Sequence, residues 1–458
     1  MSTTYDVRIY KTEVWEGKKT TTYYVRWKVG ARPWKEPYKT SALADSFRSE
    51  LVSAARKGEA FDVVTGRPVS MSRTSREMTW YTFACDYMDM KWGPAAATYR
   101  RSLSEVLTAI TPALFDTDKG QPDGVLIRSA LHKWAFNTTR RNDPGRPHKV
   151  TDALKWVEQH TKPVSCVSDP SVLRSILSTI GNKTDGNAAA ASVVSKRCRV
   201  LFNVLEYAVE LGLLAVNPLS TFKWRPPKVS PAVGKRSVVN PVQARTLLRA
   251  VGDAQRGRPR LVAFFGLMYF SALRPEEAAN VRKHNLALPE EGWGTLHIDE
   301  ATPYAGAAWT NSGRHRDQRQ LKNRARGEGR TVPCPPELTK MLHDHLTRFG
   351  TAVDGRLFPG ERVAELPHLA YMRTWRAARL ATFTDEVYAS PLARTPYDLR
   401  HACVSTWLNG GVPATQVAEW AGHSVEVLLK VYAKCLDGHD KIARCRVQEA
   451  LGHRSTGT

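Results

Sequence analysis

Alternation of apolar and polar positions near the start of the chain predicts a small sheet followed by one helix. Residues 16–19, Glu-Gly-Lys-Lys, have the composition of a hairpin turn between two alternating segments. Apolar positions then recur at helical spacing over 42–58, with Ser41 as the predicted N-cap. The pattern predicts a small α+β sheet domain over residues 1–64. Its predicted strands cover 5–9, 20–29 and 34–40, and the inward face of its helix carries Leu43, Phe47, Leu51 and Ala54.

Helical spacing fills the middle of the chain. Residues 65–79 are polar, contain Gly and Pro, and indicate a linker. Residues 80–224 then predict an all-α domain, in which Gly212 and Asn217-Pro218 end the last long helix. These helices alone are equally consistent with an ordinary bundle. The main predicted helices cover 81–87, 95–107, 129–135, 170–180 and 188–211.

The last part of the chain predicts a mainly α-helical domain with a small sheet over residues 238–458. It follows a second linker, 223–236, which has three prolines, five Lys or Arg and no apolar period. Residues 261–274 are almost uniformly apolar until they end in Arg274, and Asn240-Pro241 begins the first helix. The remaining predicted segments are strands at 293–298 and 331–333 and helices at 338–346, 369–382 and 440–451.

Three short helices are predicted near the end of this domain, around one histidine. Helix 402–408 stops at Asn409-Gly410-Gly411, and helix 412–420 is broken by Gly422. Ser424 is the predicted N-cap of a third helix. His423 therefore lies on a sharp turn, and Tyr432 lies on the helix that follows it.

These residue types suit attack on a phosphodiester. A phenol has a pKa of about 10, so Tyr432 needs a base to take its proton and a substrate that is already polarised. The planar fork of an arginine binds two phosphate oxygens and stays charged, which suits Arg274 and Arg400. His423 can move or anchor protons. Glu277, three residues after Arg274, is within reach of its guanidinium.

A basic segment between the two arginines predicts a β-hairpin over 320–333, with its tip at 325–329. Lys322 is the only lysine between Lys283 and Lys340, and it could protonate a leaving oxygen. The basic side chains of this segment form a patch that would bind DNA even if none of them were catalytic. Its basic side chains are Arg314, Arg316, Arg319, Lys322, Arg324, Arg326 and Arg330, against Asp317 and Glu328.

The charge of the whole chain points to a polyanionic partner. Lys and Arg number 67 against 44 Asp and Glu, a formal net charge of +23 with a pI near 9.8. No stretch approaches ~18 consecutive apolar residues, so nucleic acid is favoured over membrane. Basic side chains cluster on the predicted N-terminal sheet, and a loop suited equally to phosphate or to water carries Arg140, Arg141, Arg146 and Lys149. The sheet's cations are Arg8, Lys11, Lys18, Lys19, Arg26, Lys28, Arg32, Lys35 and Lys39.

The seven cysteines are scattered, odd in number and without a CxxC pair. This pattern favours reduced thiols and gives no zinc site. The first residues contain no signal-peptide core. A cytoplasmic protein associated with the nucleoid is therefore expected.

Five elements in order are similar to the catalytic set of the tyrosine recombinases, or phage-type integrases. Arg274 lies in ALRPEE, Lys322 on the predicted hairpin, Arg400 in YDLRH, His423 in AGHS and Tyr432 in KVY. The resemblance is strong over 238–451 and looser upstream. The family's usual histidine three residues before the second arginine is replaced by Tyr397, which can donate a hydrogen bond but is a worse proton acceptor than imidazole.

The resemblance implies the DNA breaking and rejoining fold and site-specific exchange of double-stranded DNA at attachment sites. The family acts through a covalent 3′-phosphotyrosyl intermediate with no metal or nucleotide cofactor. It also implies an arm-binding N-terminal domain, a core-binding helical domain, a homotetramer on DNA and an accessory excision factor. The size and the N-terminal sheet favour an integrase of a mobile element. The helix predicted at 440–451 could dock on a neighbouring subunit or on its own domain.

Structural roles compete with these assignments. Arg274 could be a buried ion pair with Glu277, Arg400 could pair with Asp398, and Tyr432 could be a core aromatic. His401 is left out of the catalytic set, because a helix residue turned about 100° from Arg400 more often packs or caps. Two other functions also remain open, a type IB topoisomerase and a catalytically silent DNA-binding regulator.

Overall fold

The computed structural model describes residues 3–17, 20–74, 78–183, 186–224, 227–228, 232–253, 258–322, 324–325, 327–360, 364–432, 444, 447–448 and 450–451. Lys18, Lys19 and Arg326 lie outside these residues, as does most of the predicted helix 440–451.

Strands and helices are numbered in chain order. The strands are β1 (Thr3–Thr4), β2 (Val7–Ile9), β3 (Glu13–Glu16), β4 (Thr21–Val29), β5 (Arg32–Tyr38), β6 (Phe61–Asp62), β7 (Leu286–Ala287), β8 (Gly294–Ile298), β9 (Glu300–Ala301), β10 (Arg319–Gln320) and β11 (Arg330–Cys334). The helices are α1 (Ser41–Arg56), α2 (Val69–Thr74), α3 (Trp80–Trp92), α4 (Ala97–Ile110), α5 (Gly124–Ala130), α6 (His148–Gln159), α7 (Pro170–Gly181), α8 (Ala191–Glu210), α9 (Pro218–Thr221), α10 (Pro241–Asp253), α11 (Val262–Phe270), α12 (Pro275–Ala278), α13 (Pro336–Phe349), α14 (His368–Thr382), α15 (Asp385–Ala389), α16 (Tyr397–Asn409), α17 (Ala414–Ala421) and α18 (Val425–Tyr432).

The chain forms two compact units. The first comprises residues 1–94 and 102–227, and the second comprises 95–101 and 228–458. The change from one to the other at residue 227 falls inside the predicted linker 223–236.

In the first unit, α1 covers one face of an antiparallel sheet centred on β4. Strand β4 pairs with β5 along one edge, and with β2 and β3 along the other. Val25, Trp27 and Val29 of β4 form a buried core with Leu51 and Ala54 of α1. Because side chains alternate along β4, the intervening Arg26 and Lys28 are exposed on the opposite face.

Three details of the predicted sheet domain were wrong. Strand β3 was not predicted, because all four of its residues are exposed and no apolar alternation marks it. The N-cap of α1 is Thr40 and not Ser41, since the Thr40 hydroxyl accepts the Leu43 backbone N–H. Leu43 itself is 56% exposed and does not join the core.

Three helices of the first unit lie outside the main predicted helices, among them α9, which follows Asn217. Helix α2 lies in the segment interpreted as a linker, and α6 begins at His148. Lys149 is therefore helical. Arg141 binds Asp89 and the carbonyls of Ala135 and Cys85, so its guanidinium is occupied structurally and not held on a solvated loop.

In the second unit, α11 is the central helix. Eight of its nine residues, Ala263 to Phe270, are buried, which explains its uniformly apolar sequence. It packs against α10, α13 and α16. The predicted helix 261–274 ends early at Phe270, because Ala272 adopts a φ of 49° and the chain turns into α12.

The predicted hairpin 320–333 was wrong in its pairing. Strand β10 pairs with β9, whereas β11 pairs with β8 in the three-stranded sheet β11-β8-β7. Val332 and Cys334 are buried on β11, while both residues of β10 are exposed. Strand β11 therefore pairs with β8 in the sheet that covers the core, where its apolar side chains are buried. Strand β10 is not part of that sheet.

Among the described helices, none has both the length and the apolarity to cross a membrane. No group of His, Cys, Asp and Glu in the described part of the chain is arranged to hold a metal ion.

Candidate active site

The turn between α11 and α12 places Arg274 at the start of a helix. Arg274 is the N-cap of α12, with extended backbone, and its N–H donates to Glu277 Oε2 at 2.8 Å. Its Nη1 donates to Glu277 Oε1, also at 2.8 Å. The side chain is almost fully buried. Glu277 therefore fixes both the guanidinium of Arg274, as the sequence predicted, and its backbone, which was not predicted.

Glu277 lies at the centre of a buried cluster of charges. Besides Arg274, it accepts from Arg330 Nη1 at 2.9 Å and from Arg330 Nη2 at 2.7 Å, and Arg400 Nη1 lies 4.0 Å from Oε2. Burial opposes the carboxylate charge, but Arg330, with help from Arg274 and Arg400, holds the pKa of Glu277 well below its usual range. Glu277 is thus a permanent counter-ion at neutral pH.

Arg400 is completely buried on α16 and is held by backbone carbonyls. Its Nη1 donates to Ala272 O and its Nη2 to Ala421 O. Burial, followed by the charge of Arg274, lowers the pKa of Arg400. Asp398 is not its partner, because Asp398 accepts from Thr395. Nε of Arg400 is buried and has no hydrogen-bond partner among the described residues.

Gly422 joins the two arginines to the turn that carries His423. It ends α17 with a φ of 64°, and its carbonyl accepts from Arg274 Nη2 at 2.7 Å. A Cβ at this position would lie 3.3 Å from Arg330 Nη1 and 3.4 Å from Arg274 Nη1. Both the backbone angle and the space for the guanidinium groups therefore require glycine.

His423 faces Arg400 directly. Its Nε2 is 2.6 Å from Arg400 Nη2, while its Nδ1 is buried and unpartnered within the described part of the chain. Burial, then the charges of Arg400 and Arg274, lower the pKa of His423 to about 3. The imidazole is therefore neutral at physiological pH. Nε2 accepts from the guanidinium in this arrangement, so the ring proton is on Nδ1.

Tyr432 lies at the end of α18 and is fully buried in an apolar cluster with Cys403, Val404 and Leu428. Its hydroxyl is 2.8 Å from Nδ1 of His401. Its ring stacks at 6.1 Å from that of His423. The Ser424 hydroxyl accepts the Val427 N–H in the first turn of α18, which agrees with the predicted N-cap.

Tyr397 is in the first turn of α16 and lines the same cluster. The Arg400 guanidinium carbon lies 5.9 Å from the centre of its ring, and the His401 ring lies 5.0 Å away in an edge-on contact. Tyr397 thus borders Arg400 on one side and His401 on the other.

Lys322 is the one predicted catalytic residue that the structure does not bring into this cluster. It lies exposed on the loop between β10 and β11, and its ammonium makes no hydrogen bond or ion pair with another described residue. Two members of the predicted basic patch are not on the surface at all. Arg330 binds Glu277, and Arg316 donates to the carbonyls of Leu366 and Thr302.

The sequence interpretation missed His401 and Arg330. Arg330 carried a signal, because it precedes Val332 and Cys334 at alternate positions of a strand and must point to the same buried face. His401 carried none within its own helix. Its contact depends on α18, which is 31 residues away in sequence at Tyr432.

Residues 238–439 match the model of the phage integrase family. A search of curated protein sequences finds no match.

Several solved structures are similar. A fragment of the Tn1549 transposon integrase in complex with a circular intermediate DNA is 14% identical, covers 67% of this chain and 96% of its own, and has a TM-score of 0.48. XerH site-specific recombinase bound to its difH substrate is 12% identical over 77% of this chain and 96% of its own, at 0.43. A lambda integrase dimer bound to a COC′ core site is 11% identical over 90% of this chain and 91% of its own, at 0.47.

All three TM-scores are below 0.5, so the family assignment rests on the sequence match. Residues 238–439 of this chain are thus similar to the phage integrase family.

Proposed function

We propose that the protein is a site-specific DNA recombinase, the integrase of a mobile element, and that it cleaves DNA through a 3′-phosphotyrosyl intermediate at Tyr432. The observation that carries this proposal is an excess of buried positive charge beside a buried phenol. Arg274, Arg330 and Arg400 surround the single carboxylate of Glu277, so these four groups carry two net positive charges.

Such an excess is costly in the interior unless an anion completes it. Neighbouring Glu276 interacts electrostatically with Arg274 and Arg400, and burial raises its pKa. Even with its negative charge counted, the three arginines and two carboxylates keep one net positive charge. All three nitrogens of Arg330 donate, Nε to the Trp420 carbonyl and both terminal nitrogens to Glu277, whereas Nε of Arg400 has no partner among the described residues. Arg400, with Arg274 beside it, is therefore the ligand for an incoming anion in this proposal. A phosphodiester carries one negative charge and fits the fork of a guanidinium.

In the proposed complex, Arg274, Arg400 and His423, with Tyr397, bind the non-bridging oxygens of one scissile phosphate. Within this cluster, Arg400 Nε and His423 Nδ1 are buried polar atoms without a partner among the described residues, and both can donate to such an oxygen. Donors aimed at developing negative charge typically contribute about 2.7 to 4 kcal/mol each to lowering the barrier.

Tyr432 Oη then attacks phosphorus in line. The Oη–P bond forms, the bond from phosphorus to the 5′ oxygen breaks, and Lys322 gives its proton to that oxygen. Lys322 reaches the phosphate by movement of its exposed loop. Because the phosphotyrosine keeps the bond energy, attack by the 5′ hydroxyl of a partner strand rejoins DNA without ATP.

In this proposal, the parts of the chain before the catalytic domain bind the DNA. Residues 1–64 bind arm sites through the cation-bearing face of β2, β4 and β5, and residues 80–224 bind the core site. Residues 238–458 hold the catalytic cluster. On that sheet face Arg8 lies opposite Lys28, and Arg26 lies opposite Lys35. Glu13 lies 3.4 Å from both Arg26 and Lys35, whereas the like charges of Arg8 and Lys28 are unfavourable when directly opposite and are relieved by a polyanion. We also propose that four copies of the chain bring the DNA sites together as a homotetramer. Excision, in the same proposal, uses an accessory factor.

An SDS-resistant adduct assay tests the mechanism. Labelled duplex carrying the attachment sequence from the element's own flanks is incubated with wild type, Tyr432→Phe and, as a matched control, Tyr388→Phe. Wild type and the control should give a denaturation-stable protein–DNA band, and Tyr432→Phe should give none while still shifting the duplex in a native gel. A band from Tyr432→Phe would overturn the assignment of the nucleophile.

The same assay tests for the DNA-binding regulator, and a plasmid-relaxation assay tests for the topoisomerase. If no protein forms an adduct but all shift the duplex, the regulator replaces the recombinase. If wild type relaxes a supercoiled plasmid that lacks any attachment site, the topoisomerase replaces it.

A further inference from the structure

The proposed mechanism requires a proton acceptor for Tyr432, and two of the predicted residues are poorly suited to that role. Tyr397 has a phenol where the resembling family has an imidazole, so it matches Tyr432 in chemistry and has no advantage as a base. His423 faces Arg400 with Nε2 at 2.6 Å, and its ring lies stacked 6.1 Å from that of Tyr432. Both groups lie beside Arg400, which is proposed to bind the phosphate.

His401 is placed where such an acceptor is needed. Its Nδ1 lies 2.8 Å from Tyr432 Oη, well within the distance for proton transfer. The ring is fixed from two sides, in an edge-on contact with Tyr397 at 5.0 Å and with Tyr432 at 5.6 Å. His401 follows Arg400 on α16, so the helix that binds the phosphate also positions this imidazole.

We propose that His401 is the general base of the reaction and that it accepts the Tyr432 proton on Nδ1 as the Oη–P bond forms. This inference rests on the proposed function, and it assigns to His401 a task that position 397 cannot perform in this chain. His401 touches the nucleophilic oxygen itself, so it is a catalytic residue in this scheme.

The charges around His401 couple this proton transfer to the substrate. Burial, then the charge of Arg400, lower the pKa of His401 to about 4, so the ring is neutral and ready to accept. The groups that face it are Tyr397 and Arg400 on α16, Tyr432 on α18 and His423 on the preceding turn. Of these groups, Arg400 carries the positive charge that disfavours the protonated form of His401. A phosphodiester bound to Arg400 offsets that charge and makes His401 more basic when the substrate is present.

The proton balance is complete within the site. Tyr432 loses its proton to His401 while the 5′ oxygen gains one from Lys322. In rejoining, the 5′ hydroxyl returns its proton to Lys322, and His401 protonates the departing phenolate. The protein therefore ends each cycle in its starting state.

The test measures the rate of covalent adduct formation for wild type and His401→Asn, with His343→Asn as a matched control. Asn keeps a polar group near the position of Nδ1 but is not a base. His343 is a partly buried histidine outside the cluster, and its Nε2 lies 2.8 Å from the Pro289 carbonyl. We expect His401→Asn to slow cleavage about 10²- to 10⁴-fold with duplex binding unchanged, and His343→Asn to match wild type.

A more acidic nucleophile distinguishes a base from a packing residue. Replacement of Tyr432 by 3,5-difluorotyrosine lowers the pKa of the attacking phenol and so reduces the need for a base. The defect of His401→Asn should then shrink by about tenfold or more. A defect of the same size with either nucleophile, or a cleavage rate for His401→Asn within about threefold of wild type, would overturn the role of His401.

Two further measurements keep the proposal testable if His401→Asn does not fold. If His401→Asn no longer unfolds cooperatively, His401→Gln takes its place. Independently of any His401 variant, ¹⁵N shifts of the histidine rings in the wild-type protein at pH 7 should show neutral His401, with an Nδ1 resonance that moves in Tyr432→Phe. An imidazolium at that pH, or an unmoved resonance, would contradict the proposal. If wild type forms no adduct at all, the proposed function fails first, whereas equal adducts from wild type and His401→Asn overturn only the His401 inference.

Discussion

Glu277 and Glu13 occupy comparable positions in two different regions, since each is a single carboxylate between cations. Glu277 binds Arg274 and Arg330 in the interior of the second unit, with 1% of its side chain exposed. Glu13 binds Arg26 and Lys35 on the sheet of the first unit, each at 3.4 Å, with 47% of its side chain exposed. The residue types and charges are alike, and the surroundings differ.

The difference decides what each set of charges does. In the interior, the guanidinium groups have lost their water and depend on Glu277 and on the carbonyls of Ala272, Ala421 and Gly422. On the sheet, water already solvates every group, so the ion pairs add little. Buried charges therefore fix the geometry of a site, whereas exposed charges remain available to a polyanion.

The largest effect is expected from Glu277→Gln. This change leaves Arg330 and Arg274 buried without a counter-ion, and breaking a buried pair in this way costs about 3–5 kcal/mol. Urea unfolding of the full chain should show the loss in the transition of the second unit. Glu13→Gln is the matched control and should cost no more than about 1 kcal/mol. Equal losses from the two substitutions would show that burial is not what separates the two sites.

An intermediate effect is expected from Gly422→Ala. The left-handed backbone costs a residue with a Cβ about 1–2 kcal/mol, and the new methyl group also lies 3.3–3.4 Å from two guanidinium nitrogens. Gly212→Ala is the control, since Gly212 has a φ of 72° but no atom within 4 Å of its added Cβ. Both variants should lose stability in urea unfolding. Only Gly422→Ala should also slow adduct formation, and an equal slowing by Gly212→Ala would contradict the guanidinium contact as the cause.

The smallest effect on stability is expected from Lys28→Ala on the exposed face of the sheet. Because Lys28 lies opposite Arg8, its removal relieves a like-charge pair, and unfolding should change by no more than about 0.5 kcal/mol. Its effect should appear in DNA binding instead. Fluorescence anisotropy over a range of salt should give a slope of log K against log salt that is reduced by about 1. Lys57→Ala, at the C-terminal end of α1, removes the same charge and should leave the slope unchanged.

The sequence predicted most helices of the second unit because their apolar periods were long. It also predicted the helix break at Gly422 and the N-cap at Ser424, where local chemistry determines the backbone. Pairing of short strands was not predictable in the same way. Strands β9 and β10 have two residues each, too few for an apolar pattern to identify the partner.

In the candidate site, too, local features were predicted and contacts between distant segments were not. Five of the six predicted catalytic residues, all except Lys322, lie together in the buried cluster. Their roles stay a prediction, and so do the three domains with boundaries at 1–64, 80–224 and 238–458. The contact of His401 with Tyr432 could not be read from local pattern, since it depends on how α16 and α18 pack.

One backbone hydrogen bond bears on how fragments of this protein should be cut. The N–H of Val233 donates to the carbonyl of Val431 at 2.8 Å, one residue before Tyr432, and the Val233 side chain packs against the same apolar cluster as Tyr432. The family match begins at 238, so a fragment cloned to that boundary would omit Val233. Such a fragment would keep every residue of the site and still lose a tether on the last turn of α18. Expression of the catalytic part alone should therefore begin upstream of Val233.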